Sequence, residues 1–533
     1  MSACTLAFTL QNDFAQFAPR LGTLSLQRLD GTSTPEIQTP GFITASSRGV
    51  VPHLSRDHVK MTNAIRLTNI PFESFLERTP PVPTLQPGLK PLHAFLGFPT
   101  WQHILSLSLR DPFDGREMPA NNKLYVSANC IRGVRKVTPA DWRNYAIACK
   151  PDLVVALSDV PYTNQLHSQK RTTKGIERST GWLADFLRPV AASLTGEEEE
   201  AKPHHLNVLV NLVGGTDARA RTLFSQGLIE TLHGREQEQV QPIHTLDEGV
   251  SGYIFDFLPL RLSLDTKSMT EPKQAIETDM FAELARASLA PLPQNKVRIA
   301  YSTTSPHEIL RFVQDVGVDL FDSHWAQRAA NIGIALDFRF PAIPDDMPIW
   351  NDEHCPCPQL RSNGKWDLGH NLFSEKYAHQ HTRLASSFLN GTSPETQTED
   401  SHVCPCGACS PSSLSIYLTH SSADARYLET EVPQRPYTRS YLHHLLHTHE
   451  MSSHTLLVMH NLSVMDAFFA GIRQVLKSSP ASFLRELDRF AQTYDESTEL
   501  FDEAEKLWAK IESERGKGRL AREKQSSGQV TTE

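Results

Sequence analysis

Residues 402–410 read HVCPCGACS and bring Cys404, Cys406 and Cys409 within six positions. Three thiolates on a tight turn supply most of a tetrahedral zinc site, which needs four soft or borderline donors. Gly407 lets such a turn close and Pro405 stiffens it. The fourth donor must come from farther along, and the histidine-rich segment SYLHHLLHTHEMSSHTLLVMHNL offers two sources. On a helix, His443 and His447 stand one turn apart. The alternative is His460, at the end of the apolar run TLLVM. That run reads as a strand ahead of a helix, with Ser463 as N-cap and Asp466 as its capping-box partner. A second pair, Cys355 and Cys357 in HCPCPQ, has one adjacent histidine, His354, and no third cysteine nearby, so it reads as a loop.

The redox setting decides how clustered thiols behave. Eight cysteines in 533 residues are too few for a disulfide-stapled secreted domain, and a chain of this length buries a core without staples. The opening MSACTLAFTLQNDFAQF lacks the basic region and long apolar run of a secretory signal. No apolar stretch of about 18 residues offers itself as a membrane span. The expectation is a reducing compartment, where clustered thiols bind metal more often than each other. The sequons at Asn390 and Asn461 then carry no weight. A formal charge of -9 excludes a global basic field, so any nucleic-acid contact needs a local patch. The stretch SQKRTTKGIER is a candidate, although its composition reads as a solvated loop.

Positioning these residues is the task of a regular scaffold. KLYVSAN, DLVVALSD, LNVLVNLVGG, GYIFDFL, VRIAYSTT and VDLFDSHW are short apolar runs. Between them lie helical patterns such as STGWLADFLRPVAASL, DARARTLFSQGLIETL and SPHEILRFVQDVG. Buried strands alternating with amphipathic helices mean a parallel sheet covered by helices. Six such repeats, with two more expected in the first hundred residues, predict a closed (β/α)8 barrel of the TIM type over residues 1–340. A doubly wound sheet is the alternative, but no GxGxxG follows the first strand. Residues 341–403 read as a variable insertion, 404–480 as a zinc-binding subdomain with a closing helix, and 481–533 as a C-terminal helix and disordered tail. TGEEEEAKPHH reads as an acidic linker. Working residues of a parallel barrel sit at strand C-terminal ends. Here those ends carry Asp159, Gly214–Gly215 and Asp322, each of which also has a plain role as cap or turn.

Taken together, CPCGAC followed by YTRSYLHHLLHTHEMSSHTLLVMHNL resembles the zinc-binding end of the queuine tRNA-ribosyltransferases, the tRNA-guanine transglycosylases. TPGFITASSRGVVPHLSRD, PDLVVALSDVP, KGIERSTGWL, LVGGTDARART and GVDLFDS occur in that family's order, so the likeness covers roughly residues 1–340 and 400–480. It implies a (β/α)8 barrel with an inserted zinc subdomain, and one structural Zn2+ on Cys404, Cys406, Cys409 and His460. It also implies base exchange at the wobble position of tRNAs with GUN anticodons. A carboxylate attacks C1′, guanine leaves and a deazaguanine base displaces the enzyme, in the manner of a retaining glycosidase. Asp322 matches the nucleophile's position. The family's Asp-Ser-Gly-Gly-Phe-Gln stretch is missing: Asp111 stands near its place but is followed by Pro112–Phe113. The later glycine-rich base-binding loop is missing too, since GYIFDF continues as LPLRLSLD. This combination is similar to the family's non-catalytic accessory branch, which implies a catalytic subunit as partner in a heterodimer, and tRNA held through that complex. It further implies a cytoplasmic setting, with peripheral association at the mitochondrial outer surface as an option. The competing readings are an active transglycosylase using Asp322 and Asp111, and a zinc-stabilised scaffold with no tRNA role.

Overall fold

Short apolar runs bounded by turn residues become the staves of a closed barrel. The computed structural model describes residues 5–11, 15–28, 31, 34–163, 166–189, 206–264, 273–342, 357–385, 404–414, 431–433 and 435–516. The acidic linker, most of the 341–403 insertion with His354 and Cys355, Asn390 and the final tail lie outside them. Two compact units are present: Met1–Trp325 with Phe469–Leu487, and Ala326–Phe468 with Asp488–Glu533.

The first unit opens with an antiparallel sheet of β1 (Thr5–Leu10), β2 (Gly22–Gln27) and β3 (Ile37–Thr39). The barrel follows as β4 (Gly41–Ala45), α1 (Arg56–Met61), β5 (Leu67–Pro71), α2 (Pro91–Leu96) and β6 (Ile104–Ser108). A hairpin of β7 (Val126–Cys130) and β8 (Gly133–Val137) precedes α3 (Pro139–Cys149). Then come β9 (Leu153–Val155), α4 (Gln169–Leu187), β10 (Val208–Asn211), α5 (Ala218–Ile229), α6 (Arg235–Val240) and β11 (Val250–Asp256). The series ends with α7 (Leu258–Leu264), α8 (Lys273–Leu289), β12 (Val297–Tyr301), α9 (Pro306–Val316), β13 (Leu320–Asp322) and α10 (His324–Asn331). Eight parallel strands close in the order β10-β11-β12-β13-β4-β5-β6-β9, sealed by the register Leu320↔Gly41 and Asp322↔Ile43.

The expected (β/α)8 barrel is thus observed, with a different allocation of strands. KLYVSAN is not a stave. Its Val126–Cys130 pairs with Gly133–Val137 across a two-residue turn, and a link that short permits only antiparallel pairing. The first hundred residues supply the two expected staves, β4 and β5, and the eighth is β6 (Ile104–Ser108), which the pattern did not single out. SQKRTTKGIER is not a loop either: it begins the 19-residue helix α4, capped by the Ser168 hydroxyl accepting from the Arg171 amide.

The barrel interior is apolar, from Ile43, Leu67 and Ile104 through Leu209, Ile254 and Ile299. Leu24, Leu26 and Ile37 of the N-terminal sheet join that core and plug the end where the strands begin. Two ion pairs fasten this plug. Arg20 is bonded to Asp319, ahead of β13, and Arg28 to Asp152, ahead of β9, at 2.6 Å. Asp152 also accepts from His93 at 2.7 Å and Lys90 at 2.9 Å. Burial opposes its ionisation, but the His93 hydrogen bond and the surrounding cations hold it well below its ordinary value of 3.8.

The second unit is inserted in the sequence of the first. It contains the antiparallel pair β14 (Ile334–Leu336) and β15 (Gly369–Asn371), then α11 (Arg439–His447) and part of α12 (Ser452–Ser478). α13 (Phe483–Thr493) and α14 (Glu499–Gly516) follow. Phe338, Phe468, Phe490 and Tyr494 form an aromatic cluster in this unit. Helix α12 is continuous, so the strand-then-helix reading of TLLVM and the N-cap at Ser463 do not hold. The Ser463 hydroxyl instead donates to the Met459 carbonyl inside the helix at 3.0 Å. An apolar run buried by tertiary packing looks alike as strand or helix, and here packing favours helix. By length and composition α12 could cross a membrane, but 72% of its most apolar window is buried in the fold.

Replacing Asp152 with Asn should cost about 3–5 kcal/mol at pH 7, because the buried Arg28 then lacks its counter-charge. The folded-state pKa is depressed, so this contribution is present above the ordinary value of 3.8 and fades as pH falls through the folded value. Denaturant melts of both proteins should show the gap at pH 7 narrowing below about pH 4.

Candidate functional site

Cys404, Cys406, Cys409 and His460 converge, all buried, with their ligand atoms within 4.8 Å of one another. His460 Nδ1 lies 3.6, 3.7 and 3.4 Å from the sulfurs of Cys404, Cys406 and Cys409. A tetrahedral ion with bonds of about 2.3 Å to sulfur and about 2.0 Å to nitrogen separates such atoms by about 3.5 Å, so the group could hold a metal. The far ring nitrogen of His460 donates to the Leu336 carbonyl at 2.9 Å. A carbonyl only accepts, so the proton sits on Nε2 and the Nδ1 lone pair faces the thiols. The next residue, Asn461, fixes that carbonyl's strand: its amide donates to Ala326 and Ile334 carbonyls and its oxygen accepts from the Leu336 amide.

The cysteine turn is closed by Ser410, whose amide donates to the Cys406 carbonyl and whose hydroxyl donates to the Cys404 carbonyl, both at 2.9 Å. Gly407 has no left-handed backbone angle, and a Cβ there would lie 3.2 Å from Met459 Cε, a tight approach to the flexible end of a side chain. His443 and His447 do lie on a helix, α11, but they bond the carbonyls of Leu372 and Phe373 and take no part in the cluster. Cys357 is not joined to it either.

The barrel mouth holds the other candidate residues. Asp322 ends β13 and is only 1% exposed. One carboxylate oxygen accepts from the Thr303 amide at 3.1 Å and its hydroxyl at 3.3 Å, and the other from the His324 amide at 2.9 Å. Burial pushes its pKa up to about 6, against those hydrogen bonds. Phe113 stacks on His324 with ring centroids 4.2 Å apart and meets Tyr301 edge-on at 6.3 Å. The Ser302 hydroxyl donates to the Pro112 carbonyl at 3.0 Å, tying this loop across the mouth. Asp111 turns back to accept from the Phe113 amide at 3.0 Å, and burial raises it to about 6. The space left under the loop, between Arg110, Tyr162, Asn211, Asp256 and Tyr301, is about 60 Å³. That admits a water or two, against roughly 300–1,000 Å³ for a small-molecule site.

Comparison with known proteins bears on both centres. The family model for queuine tRNA-ribosyltransferase matches residues 16–496, which span the barrel and all four metal-cluster residues. The chain belongs to the queuine tRNA-ribosyltransferase family. Among its curated relatives is queuine tRNA-ribosyltransferase accessory subunit 2 of Gallus gallus, 24% identical over 483 residues, covering 88% of this chain and 94% of that protein. Those of Xenopus laevis (25% over 481 residues) and Homo sapiens (24% over 475 residues) cover 88% of this chain and 96% of their own lengths.

On this barrel the other strand-end residues have structural partners. Asp159 accepts from Arg171 at 2.6 and 2.9 Å and from Arg178 at 2.9 Å, which pins α4 to β9. Gly214 has φ +138° and an added Cβ would meet the Arg221 backbone at 2.6 Å, so it is required by the turn into α5. Two functional-looking groups escaped the sequence reading. Asp256 ends β11 and accepts from the Tyr162 hydroxyl at 2.8 Å, with the Arg110 guanidinium 3.6 Å above the Tyr162 ring centre. The strand-end rule that picked Asp322 would have found it in GYIFDF. Glu73 follows β5, a stave the pattern in the first hundred residues left indistinct. It accepts from the Asp111 amide at 2.8 Å and the Asn129 amide at 2.9 Å, so it staples the mouth loop to the hairpin.

Burial pushes Glu73 up from 4.5 to about 7. The folded state binds this proton more tightly than the unfolded chain does. Its ionisation therefore costs stability progressively as pH rises from 4.5 through about 7. Glu73→Gln removes that term but also one backbone acceptor. Its destabilisation should be smaller at pH 8 than at pH 5, by on the order of 2–3 kcal/mol in paired melts. An equal deficit at both values would mean that Glu73 is ionised throughout.

Proposed function

We propose that this chain is the non-catalytic accessory subunit of a heterodimeric queuine tRNA-ribosyltransferase. It pairs with a catalytic subunit that exchanges guanine for queuine in tRNA, and it supports tRNA docking on the complex. The observation that carries this reading is the loop laid over the Asp322 side of the mouth. Phe113 stacks on His324 beside Asp322 and the space under its loop is about 60 Å³, while the larger cavity of about 570 Å³ along the ends of β9, β10 and β11 is not lined by Asp322. A nucleophilic carboxylate needs an open approach, whereas both Asp322 oxygens already accept hydrogen bonds. The names of the relatives, accessory subunit 2, agree with this reading. The alternative of an active transglycosylase using Asp322 and Asp111 is not favoured, because Asp111 faces its own loop amide.

The test follows labelled guanine in tRNA with this purified chain alone and then with a catalytic subunit of the family. The expected result is no exchange alone, exchange in the mixture and a one-to-one complex on sizing. Exchange by this chain alone would overturn the reading. Asp322→Asn should leave turnover by the complex within about twofold, since it makes no contact with the reacting atoms. A large loss with assembly intact would return Asp322 to the catalytic role.

The metal in this reading is one structural Zn2+ held by Cys404, Cys406, Cys409 and His460. Three soft sulfurs and one imidazole nitrogen, all buried, are a closed four-donor set with no open position for substrate. Bound there, zinc would link the cysteine turn to α12 and contribute folding free energy directly. Cys406→Ser or His460→Ala should therefore lower bound zinc by elemental analysis from one per chain towards zero and reduce the melting temperature. Full zinc and unchanged melting in both variants would overturn the ligand assignment.

A further inference from the structure

The chain totals -9, yet between Arg110 and Arg188 thirteen Lys and Arg stand against eight Asp and Glu, a local net of +5. Several of those acids are already engaged: Asp152 and Asp159 are buried in ion pairs, and Asp114 is bonded to Arg116. Seven of the thirteen cations stand on two neighbouring elements, and of these Arg171 and Arg178 are the partners of Asp159. Residues 131–136 of the β7–β8 hairpin are all exposed and include Arg132, Arg135 and Lys136. Arg132 has only a loose contact with Glu77 at 3.8 Å, and Lys136 lies 4.7 Å over the Tyr125 ring. The second element is the start of α4, with Lys170 and Lys174 exposed and no acid in its first turn. Helix dipoles favour acids at that end, so cations there serve something other than helix stability.

The two elements are tied together. Arg178 of α4 donates to the Asn121 carbonyl at 3.2 Å, and the Trp182 indole donates to the Lys123 carbonyl at 3.3 Å, on the segment that leads into the hairpin. Both also lie on the rim of the barrel mouth. The hairpin follows the C-terminal end of β6, and the start of α4 follows that of β9. Exposed Leu124, Ile131 and Val134 are interleaved with the charges. Cations on an exposed edge strand can serve simply to block strand addition. That accounts for β8 but not for Lys170 and Lys174.

We infer that the β7–β8 hairpin and the first turns of α4 form a docking surface for an RNA sugar–phosphate backbone. The inference rests on the accessory-subunit reading, in which the RNA is the tRNA held by the complex, and it gives that role a location. Lys and Arg at such a surface release counterions from phosphates, so affinity falls with salt at a slope set by the number of contacts. Tyr125 and the apolar side chains between the cations offer places for exposed bases or riboses to rest.

The test is the affinity of the full chain for a fluorescent tRNA transcript at several salt concentrations. Three proteins are compared: wild type, Arg132→Glu/Arg135→Glu/Lys136→Glu and Lys170→Glu/Lys174→Glu. Each variant should bind at least about tenfold more weakly, with a log–log salt slope shallower by about 0.7–0.9 per lost phosphate contact. The corresponding Gln variants should move the same way by less, with unchanged melting. Wild-type affinity and slope in both charge-reversal variants would overturn the inference, as would a wild-type chain that shows no salt-dependent tRNA binding. Assembly with the catalytic subunit and base exchange are read in parallel. Variants that assemble normally and exchange with raised KM but unchanged kcat support the surface. A mixture whose exchange does not depend on this chain would sink the accessory reading, while the tRNA affinities still decide the surface.

Discussion

A parallel barrel has an apolar bore, and both ends of that bore must be closed. Where the strands begin, the N-terminal sheet supplies Leu24, Leu26 and Ile37, held by the Arg20–Asp319 and Arg28–Asp152 pairs. Where the strands end, this chain closes the bore with its own side chains. Phe113 packs against the core cluster and against His324 and Tyr301, and Glu73 holds the loop that carries it through the Asp111 amide. A catalytic barrel leaves that end for its substrate. Here Phe113 fills the side next to Asp322, which gains apolar burial, while a cavity of about 570 Å³ stays open along the ends of β9, β10 and β11.

The metal cluster answers to a different requirement. It lies in the inserted unit, and its donors come from a short turn and from the middle of α12. A turn of about six residues has little core of its own, so a closed four-donor site is an efficient way to fix it. The histidine is in turn oriented by Leu336, and Leu336 by Asn461, a chain of buried polar groups each satisfied by the next. That dependence does not involve the barrel mouth. A change at the mouth therefore leaves the metal cluster under the same structural demand.

Much of this was legible in the sequence because it is periodic or chemically explicit. Strand–helix alternation gave the barrel, and Cys404, Cys406, Cys409 and His460 were named from thiol spacing together with family likeness. The conformation around His460 was not legible. TLLVM is apolar on every face because it is buried on every face, and such a run carries no period to separate strand from helix. KLYVSAN misled for a related reason, since one strand of a hairpin outside the barrel has the composition of a stave. Glu73 was hidden because its role is to accept two backbone amides from segments 38 and 56 residues away. No local pattern records a contact of that range.

The electrostatics of the mouth bear on the proposed lack of catalysis independently of its shape. A retaining exchange needs one carboxylate ionised for attack and another able to carry a proton, so their environments must push the two pKa values apart. Here Asp322 and Asp111 are both raised to about 6, and in each case burial is the largest cause. Asp256 moves the same way, to about 6, and Glu73 to about 7. Each of the four accepts at least one backbone amide, and among the described residues none forms an ion pair that would hold it ionised. The pattern is that of carboxylates used as rigid acceptors to pin loops over a closed bore. An acid–base pair would require one of them to be relieved of burial or matched with a cation. The exposed cations of this rim, Arg132, Arg135 and Lys136 on the hairpin and Lys170 and Lys174 on α4, form no ion pair with these four carboxylates among the described residues.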